Sequence, residues 1–182
     1  MEIDLPVRKR TRLEHYDYSS GGAYFITVCT QNRRKILSSI IVGEGFPLPK
    51  LSKCGYVVNK WIRNIPDKYS GVSVDSYVIM PNHIHLLIGV VMDGGRGDPS
   101  PTIHSIMGWL KYQTTKEINK MQGTVGEKVF QRSFYDHIIR DREDYEEHLR
   151  YIRHNPARWL CDELYGGVIS IPELATQRQN RR

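Results

Sequence analysis

At 182 residues, with 40% hydrophobic, 10% aromatic and 25% charged side chains, the chain has the size and composition of one globular domain with a real core, which excludes global disorder and collagen-like repeats. The longest apolar run, Leu86 to Met92 with Gly89 inside it, falls far short of the roughly 20 residues of a bilayer span. Met1 to Arg10 carries acids and then a basic cluster instead of a secretory leader, so a cytoplasmic location is the expectation.

The formal charge is +6, and the whole excess lies in residues 21–130, with 13 basic against 7 acidic side chains. A basic domain of this kind raises the weight of a polyanionic partner without requiring one. Cys29, Cys54 and Cys161 are odd in number and far apart, which fits neither a disulfide framework nor a paired-cysteine zinc site.

Taken in chain order, Ala23 to Thr30 (AYFITVCT) follows the breaker Ser19-Ser20-Gly21-Gly22 and predicts a buried strand. Ile36 to Lys50 holds Gly43, Gly45, Pro47 and Pro49 and predicts an irregular connection with a short strand at Ser39 to Val42. Ser52 can cap a helix with Val57, Val58, Trp61, Ile62 and Ile65 on one side, ending near Pro66. Val72 to Ile79 and His83 to Val91 flank Met80-Pro81-Asn82 and predict a β-hairpin.

After a loop from Met92 to Pro101, Thr102 can cap a second helix with Ile103, Met107, Leu110, Ile118 and Met121 toward the core and Lys111, Lys116 and Lys120 on other faces. A strand from Lys128 to Ile139 comes next. A third helix from Asp141 to about Asn155 then gathers acids in its first turns, where the helix dipole favours them, and Pro156 limits its extent. The order strand, helix, strand, strand, helix, strand, helix predicts an α+β fold: a ferredoxin-like split βαβ antiparallel sheet with two helices on one face and an added C-terminal helix.

Within the hairpin, Met80-Pro81-Asn82-His83-Ile84-His85-Leu86-Leu87 is the most informative segment. Alternate strand residues share a face, so His83 and His85 project together while Ile84 and Leu86 point the other way. Two imidazoles can then meet one cation, or they can be half-buried histidines satisfied by neighbouring hydrogen bonds. On the third helix Tyr145, Leu149 and Ile152 form the apolar stripe, which leaves Tyr151 and Asn155, four apart, stacked on a flanking face. A tyrosine can act as a covalent nucleophile when a cation or base helps it lose its proton. The alternative is that Tyr151 packs and Asn155 caps the helix before the proline.

YFITVCTQNR at Tyr24 to Arg33, DSYVIMPNHIHLLI at Asp75 to Ile88, VFQRSFYDHIIR at Val129 to Arg140 and YIRHNPARW at Tyr151 to Trp159 together resemble the single-tyrosine HUH transposases, and more closely their domesticated branch, the REP-associated tyrosine transposases. The resemblance runs from about Arg8 to Trp159. It implies that His83 and His85 are metal ligands, that Asn155 supplies a third, oxygen-donating ligand, and that Tyr151 on the C-terminal helix is the nucleophile. The implied cofactor is a divalent ion, Mg²⁺ or Mn²⁺, and the implied product is a 5′-phosphotyrosine with a freed 3′-hydroxyl. Tyr112, Tyr135 and Tyr145 are followed four residues later by Lys116, Ile139 and Leu149, none of them a ligand of that kind. The expected organisation is a basic arm at 1–20, an HUH catalytic domain at 21–160 and a tail at 161–182.

The implied partner is single-stranded or hairpin DNA, with no membrane partner, as a monomer or a homodimer. Candidate phosphate contacts are Arg8, Lys9, Arg10 and Arg12 in the arm, Arg33, Arg34 and Lys35 after the first strand, and Lys111 on the second helix. Glu2, Asp4, Glu14 and Asp17 cancel the charge of the arm. Tyr16, Tyr18, Phe130 and Phe134 can stack on bases, though core packing is the expectation for both phenylalanines. Two other functions are compatible with the residues: a domesticated, non-catalytic nucleic-acid-binding protein, and a metal-dependent phosphodiesterase that uses water.

Overall fold

The structure is a computed structural model and describes residues 21–41, 47–91, 101–162 and 164–165. Arg8, Lys9, Arg10, Arg12, Tyr16, Tyr18, most of the loop after Met92 and most of the 161–182 tail lie outside the described residues. Four strands form the main sheet: β1 (Gly22–Cys29), β4 (Val72–Ile79), β5 (His83–Val90) and β6 (Tyr135–Ile139), in the order β4-β5-β1-β6 with every neighbouring pair antiparallel. This is the split βαβ arrangement, because β5 lies between β1 and β4, the strands joined through the first helix. A separate two-stranded ribbon pairs β2 (Ser38–Ile41) with β3 (Leu48–Leu51). The expected short strand is therefore present, and its partner lies in the stretch expected to be irregular. Pro49 is tolerated there because a two-stranded ribbon is all edge.

The strand alternation divides the protein into two layers. Tyr24, Ile26 and Val28 of β1 and Ile84, Leu86 and Ile88 of β5 pack against α1 (Lys53–Arg63) and α3 (Ile103–Gln122), with Val58, Ile62, Ile106, Met107, Leu110 and Ile118 fully or nearly fully buried. Both long helices cover this one face, as the order of elements predicts. Ser52 and Thr102 cap them, accepting from the backbone N–H of Gly55 and Ser105. The helices are tied to each other where Lys60 Nζ sits 2.9 Å from the Glu117 carboxylate and Trp61 Nε1 donates to it at 2.7 Å. After α1 comes a single further turn, α2 (Ile65–Lys68), with Pro66 in its first turn, where a missing N–H costs nothing.

Two expectations need correction. The last strand begins at Tyr135, not at Lys128: the preceding apolar residues Val129 and Phe130 are buried as plugs, joined to the sheet by one bridge from Phe130 to Thr30. Met121 is 43% exposed, because α3 ends at Gly123, whose left-handed φ of 67° stops the helix just beyond the core. Among the described residues, no helix is long and apolar enough to cross a membrane.

The opposite face of the sheet carries Phe25, Val78 and Leu87, covered by Ile152 of α4 (Arg142–His154) and by Trp159 of a following 3-10 segment (Pro156–Cys161). Asp141 caps α4 by accepting from Asp144 N. The proline ends the α-helix as expected, but the chain keeps winding in tighter turns, which Pro156 at the start of a 3-10 segment permits.

The corner between β3 and α1 is the tightest backbone approach to a glycine among the described residues: a Cβ on Gly55 would lie 2.0 Å from the Leu37 carbonyl oxygen. Alanine normally stabilises a helical position by about 1 kcal/mol over glycine. Here Gly55→Ala is expected to destabilise by roughly 1–3 kcal/mol, with the sign read directly from urea unfolding.

Candidate active site

The outer face of β5 places His83 and His85 side by side, with ring centroids 4.5 Å apart, 0% and 2% exposed. Each ring is held through Nδ1. His83 Nδ1 donates to Asn82 Oδ1 at 2.8 Å, and the Asn82 amide is itself oriented because its Nδ2 donates to the Leu164 carbonyl at 2.6 Å. His85 Nδ1 pairs with the Thr27 hydroxyl at 2.8 Å, a contact set by the register in which Thr27 of β1 faces His85 of β5. With each Nδ1 so occupied, Nε2 of both rings is directed to the same side, and neither Nε2 has a hydrogen-bond partner.

A third unpartnered atom is Asn155 Oδ1, on a side chain 2% exposed. Its orientation follows from chemistry: Asn155 Nδ2 donates to Asp162 Oδ2 at 3.0 Å, and since a carboxylate only accepts, the amide oxygen must face the other way. The amide lies close enough to His83 to act on its basicity, yet no hydrogen bond joins the two. His83, His85 and Asp162 offer ligand atoms that all lie within 4.8 Å of one another. Three buried lone-pair donors without partners, from imidazole and amide, fit a divalent cation.

Both imidazoles are neutral at physiological pH. Burial pushes His83 down to about 4, opposed by the Asp162 carboxylate, reinforced by the Arg33 cation and opposed again by the Asn155 amide. Burial and then the neighbouring His83 and His148 hold His85 well below the ordinary histidine range. Neutral rings are the ligating form.

Helix α4 brings Tyr151 over this pair. Its ring meets His85 edge-on at 5.1 Å and Phe25 at 5.7 Å, and the side chain is 40% exposed. Tyr151 and Asn155 sit one turn apart on the same flank of the helix, so one element carries both. The helix is pinned at two places. Tyr145 Oη donates to Asp75 Oδ2 at 3.0 Å, beside a bulge in β4, and Asp144 accepts from His137 Nε2 of β6 at 2.9 Å while lying 3.0 Å from His148 Nδ1. His137 and His148 stack at 4.6 Å in that network. An open cleft of about 740 Å³ runs past the site, and its lining includes Tyr151, Asn155, Arg158, Asp162, Phe134 and Tyr135.

The expected cations separate. Asn32 and Arg33 both have left-handed φ, 55° and 52°, a cost of about 1–2 kcal/mol for each residue, and this turn leaves Arg33 near enough for its charge to act on His83. Arg34 instead donates to the Lys128 carbonyl at 2.8 Å. Lys35 lies over the rings of Tyr165 at 3.9 Å and Trp159 at 5.6 Å. Lys111 donates to the carbonyls of Gln131 and Arg132 at 2.6 and 2.7 Å, and burial lowers its pKa. Phe130 is buried and Phe134 is partly buried beside the core.

Sequence reading did not single out Asn82, Thr27, Arg158 or Asp162. Asn82 stands next to His83 in the motif and offered a signal. Thr27 and Asp162 carry none without the strand register and the 3-10 turn.

The buried histidines have a consequence for stability in the metal-free protein. Their folded pKa values lie below the unfolded value near 6.5, so the unfolded chain takes up protons first. Stability is complete above about pH 6.5 and falls as pH is lowered toward about 4. Urea unfolding in EDTA across this window is expected to show that decline, and NMR titration is expected to leave both rings neutral at pH 6.

The family model described as "Transposase IS200 like" matches residues 19–155. An uncharacterised protein of Haemophilus influenzae (strain Rd) is 35% identical over 173 residues, covering 87% of this chain and 93% of that protein. A second protein of the same strain, provisionally named a REP-associated tyrosine transposase, is 29% identical over 150 residues, or 78% of this chain and 74% of its own length. Among solved structures, a REP-associated tyrosine transposase bound to a REP hairpin aligns with a TM-score of 0.56 at 23% identity, over 81% of this chain and 73% of that one. The order of the four motifs, the fold they build and the match over most of the chain agree: this protein belongs to the IS200-like transposase family, the single-tyrosine HUH transposases.

Proposed function

We propose that this transposase-family protein cleaves and rejoins single-stranded DNA at a hairpin, through a covalent 5′-phosphotyrosine on Tyr151. The observation that carries the reading is the set of three buried, unpartnered donor atoms, His83 Nε2, His85 Nε2 and Asn155 Oδ1, beside the half-exposed Tyr151 ring. Those three side chains would hold one divalent ion, Mg²⁺ or Mn²⁺. When bound, such an ion polarises the scissile phosphate and offsets charge developing on it.

The protein's own groups do the rest. Thr27 and Asn82 keep the imidazoles oriented, and the Asn82 oxygen, which only accepts, holds the His83 proton on Nδ1 and leaves its Nε2 unprotonated. The helix that carries Asn155 also presents Tyr151, so ligand and nucleophile move as one body. Tyr151 Oη forms the bond to phosphorus as the bond to the 3′-oxygen breaks. The phenolic proton passes to solvent, and the departing oxygen leaves as a 3′-hydroxyl. The bond energy kept in the phosphotyrosine allows a later 3′-hydroxyl to reverse the step without ATP. In this arrangement the nucleophile serves the histidines of its own chain, which supports a site complete in one protomer.

Strand placement in this reading falls to Arg33 and Arg158 for phosphates and to Tyr135, 53% exposed at the cleft, for a base. Arg8, Lys9, Arg10 and Arg12 add phosphate contacts from the arm. Arg34, Lys35 and Lys111 act from behind, holding the walls of the cleft. A DNA substrate makes the cytoplasm the place of work. The hairpin is suggested by the structural neighbour, whose bound DNA is a REP hairpin.

The test is incubation with end-labelled hairpin DNA and Mg²⁺ or Mn²⁺, followed by a denaturing gel. A labelled, protein-linked band that requires metal is expected. Tyr151→Phe should abolish it, and His83→Ala should reduce it by at least about a hundredfold. Cleavage to free 5′-phosphate ends that survives in Tyr151→Phe would transfer the nucleophile to water. Hairpin binding without any cleavage by the wild type would leave a binding protein.

A further inference from the structure

The carboxylate of Asp162 has no role in the mechanism above, yet it is buried against the same three donors. Its side chain is 4% exposed, and Oδ2 lies 3.9 Å from His83 Nε2. Among the described residues, no lysine or arginine pairs with it. Its hydrogen bonds come from the Asn155 amide at 3.0 Å and from the Leu164 N–H, to Oδ1, at 2.6 Å. A carboxylate oxygen has more than one lone pair, so Oδ2 can accept from Asn155 and still meet a cation shared with His83 Nε2.

We propose that Asp162 is a fourth protein ligand of the divalent ion, binding it through the oxygen nearest His83. This rests on the metal site of the preceding reading and extends it. Two adjacent ligand atoms each about 2.0–2.2 Å from one octahedral cation stand roughly 3 Å apart, and the 3.9 Å from Oδ2 to His83 Nε2 is within about 1 Å of that spacing. The set of His83, His85 and Asn155 is neutral, and a divalent ion held by it alone would bring two uncompensated charges into a nearly inaccessible site. A carboxylate removes one of them and adds the hard oxygen that Mg²⁺ and Mn²⁺ prefer. Four protein ligands in an octahedral ion still leave two positions for phosphate oxygens.

The same turn reaches the histidine support. Asp162 Oδ1 accepts from Leu164 N, and the Leu164 carbonyl accepts from Asn82, which holds His83. Metal occupancy is therefore coupled to the positions of Asp162 and Leu164.

The experiment is calorimetric titration of the full-length, metal-stripped protein with MnCl₂, without DNA, for wild type, Asp162→Asn and His83→Ala. Asn at 162 removes the charge and keeps one of the two acceptor oxygens, so one of the bonds from Asn155 Nδ2 and Leu164 N is given up. The expected result is at least about a tenfold loss of Mn²⁺ affinity in Asp162→Asn, in a protein that stays folded in EDTA with a melting temperature lower by no more than a few degrees. Wild-type affinity in Asp162→Asn, with binding lost in His83→Ala, would overturn the role of Asp162 and leave the three-ligand site standing. No Mn²⁺ binding by the wild type would remove the metal site itself. A second measurement does not depend on the variant folding: electron–nuclear double resonance of Mn²⁺ in wild-type protein labelled with ¹³C-carboxyl aspartate. A resolved carboxylate coupling is expected, and its absence overturns direct ligation.

Discussion

Two imidazoles buried in a central strand of the sheet, with one nitrogen of each left unpaired, constrain everything around them. A buried polar atom without a partner costs about 1–3 kcal/mol, and here His83 Nε2, His85 Nε2 and Asn155 Oδ1 share that condition within one small region. The cost is contained by strict alternation in β5, which sends Ile84, Leu86 and Ile88 to the helix-covered core and keeps the polar atoms on the other face. A one-residue slip of the β1–β5 register would invert this assignment. The pairing that puts Thr27 opposite His85 is thus a condition of both the core and the site.

The second constraint is the placement of α4 on that polar face. A helix with a single buried residue, Ile152, has little apolar area to hold it in position, so polar ties carry much of the placement. One end of the ties is Asp75, displaced by the bulge between Val74 and Ser76 so that its carboxylate meets Tyr145. The other is Asp144, shared between His137 of β6 and His148 of the helix itself. Anchored to β4 on one side and β6 on the other, the helix lies across the sheet, and its flank with Tyr151 and Asn155 falls over His85 and His83. The 3-10 continuation folds Trp159 and Asp162 back against the same face.

Much of this was readable from short-range pattern. Period-two alternation around His83 and His85, the Ser52 and Thr102 caps, and the four-residue spacing from Tyr151 to Asn155 are local signals with direct geometric meaning, and each has its expected geometry. What escaped depends on contacts between distant residues. Val129 and Phe130 carry the same apolar pattern whether they extend a strand or plug a core from a loop, and only the bridge to Thr30 distinguishes the two. Leu48–Leu51 pairs as a strand despite Pro49 because its partner is four residues of ribbon, not the main sheet. Asp162 stands in a segment with no periodicity, and its relevance arises only when a proline-started 3-10 turn brings it back to Asn155. The C-terminal boundary drawn at residue 160 leaves it in the tail for the same reason.

Charge composition was the least direct guide, and the structure explains why. The surplus of cations in residues 21–130 suggests a broad phosphate-binding surface, yet Arg34, Lys35 and Lys111 spend their charge on carbonyls and aromatic rings within the protein. Each such contact fixes a segment that borders the cleft: Lys111 holds the carbonyls of Gln131 and Arg132, and Lys35 lies over Trp159 and Tyr165. Counterion release on binding a nucleic acid scales with the phosphates neutralised, not with the lysines and arginines present. A net charge of +6 therefore overstates the electrostatic part of any DNA affinity, and shape at the cleft has to carry more of the recognition. Under the proposed function, the positions of a few cations such as Arg33 then matter more than their number.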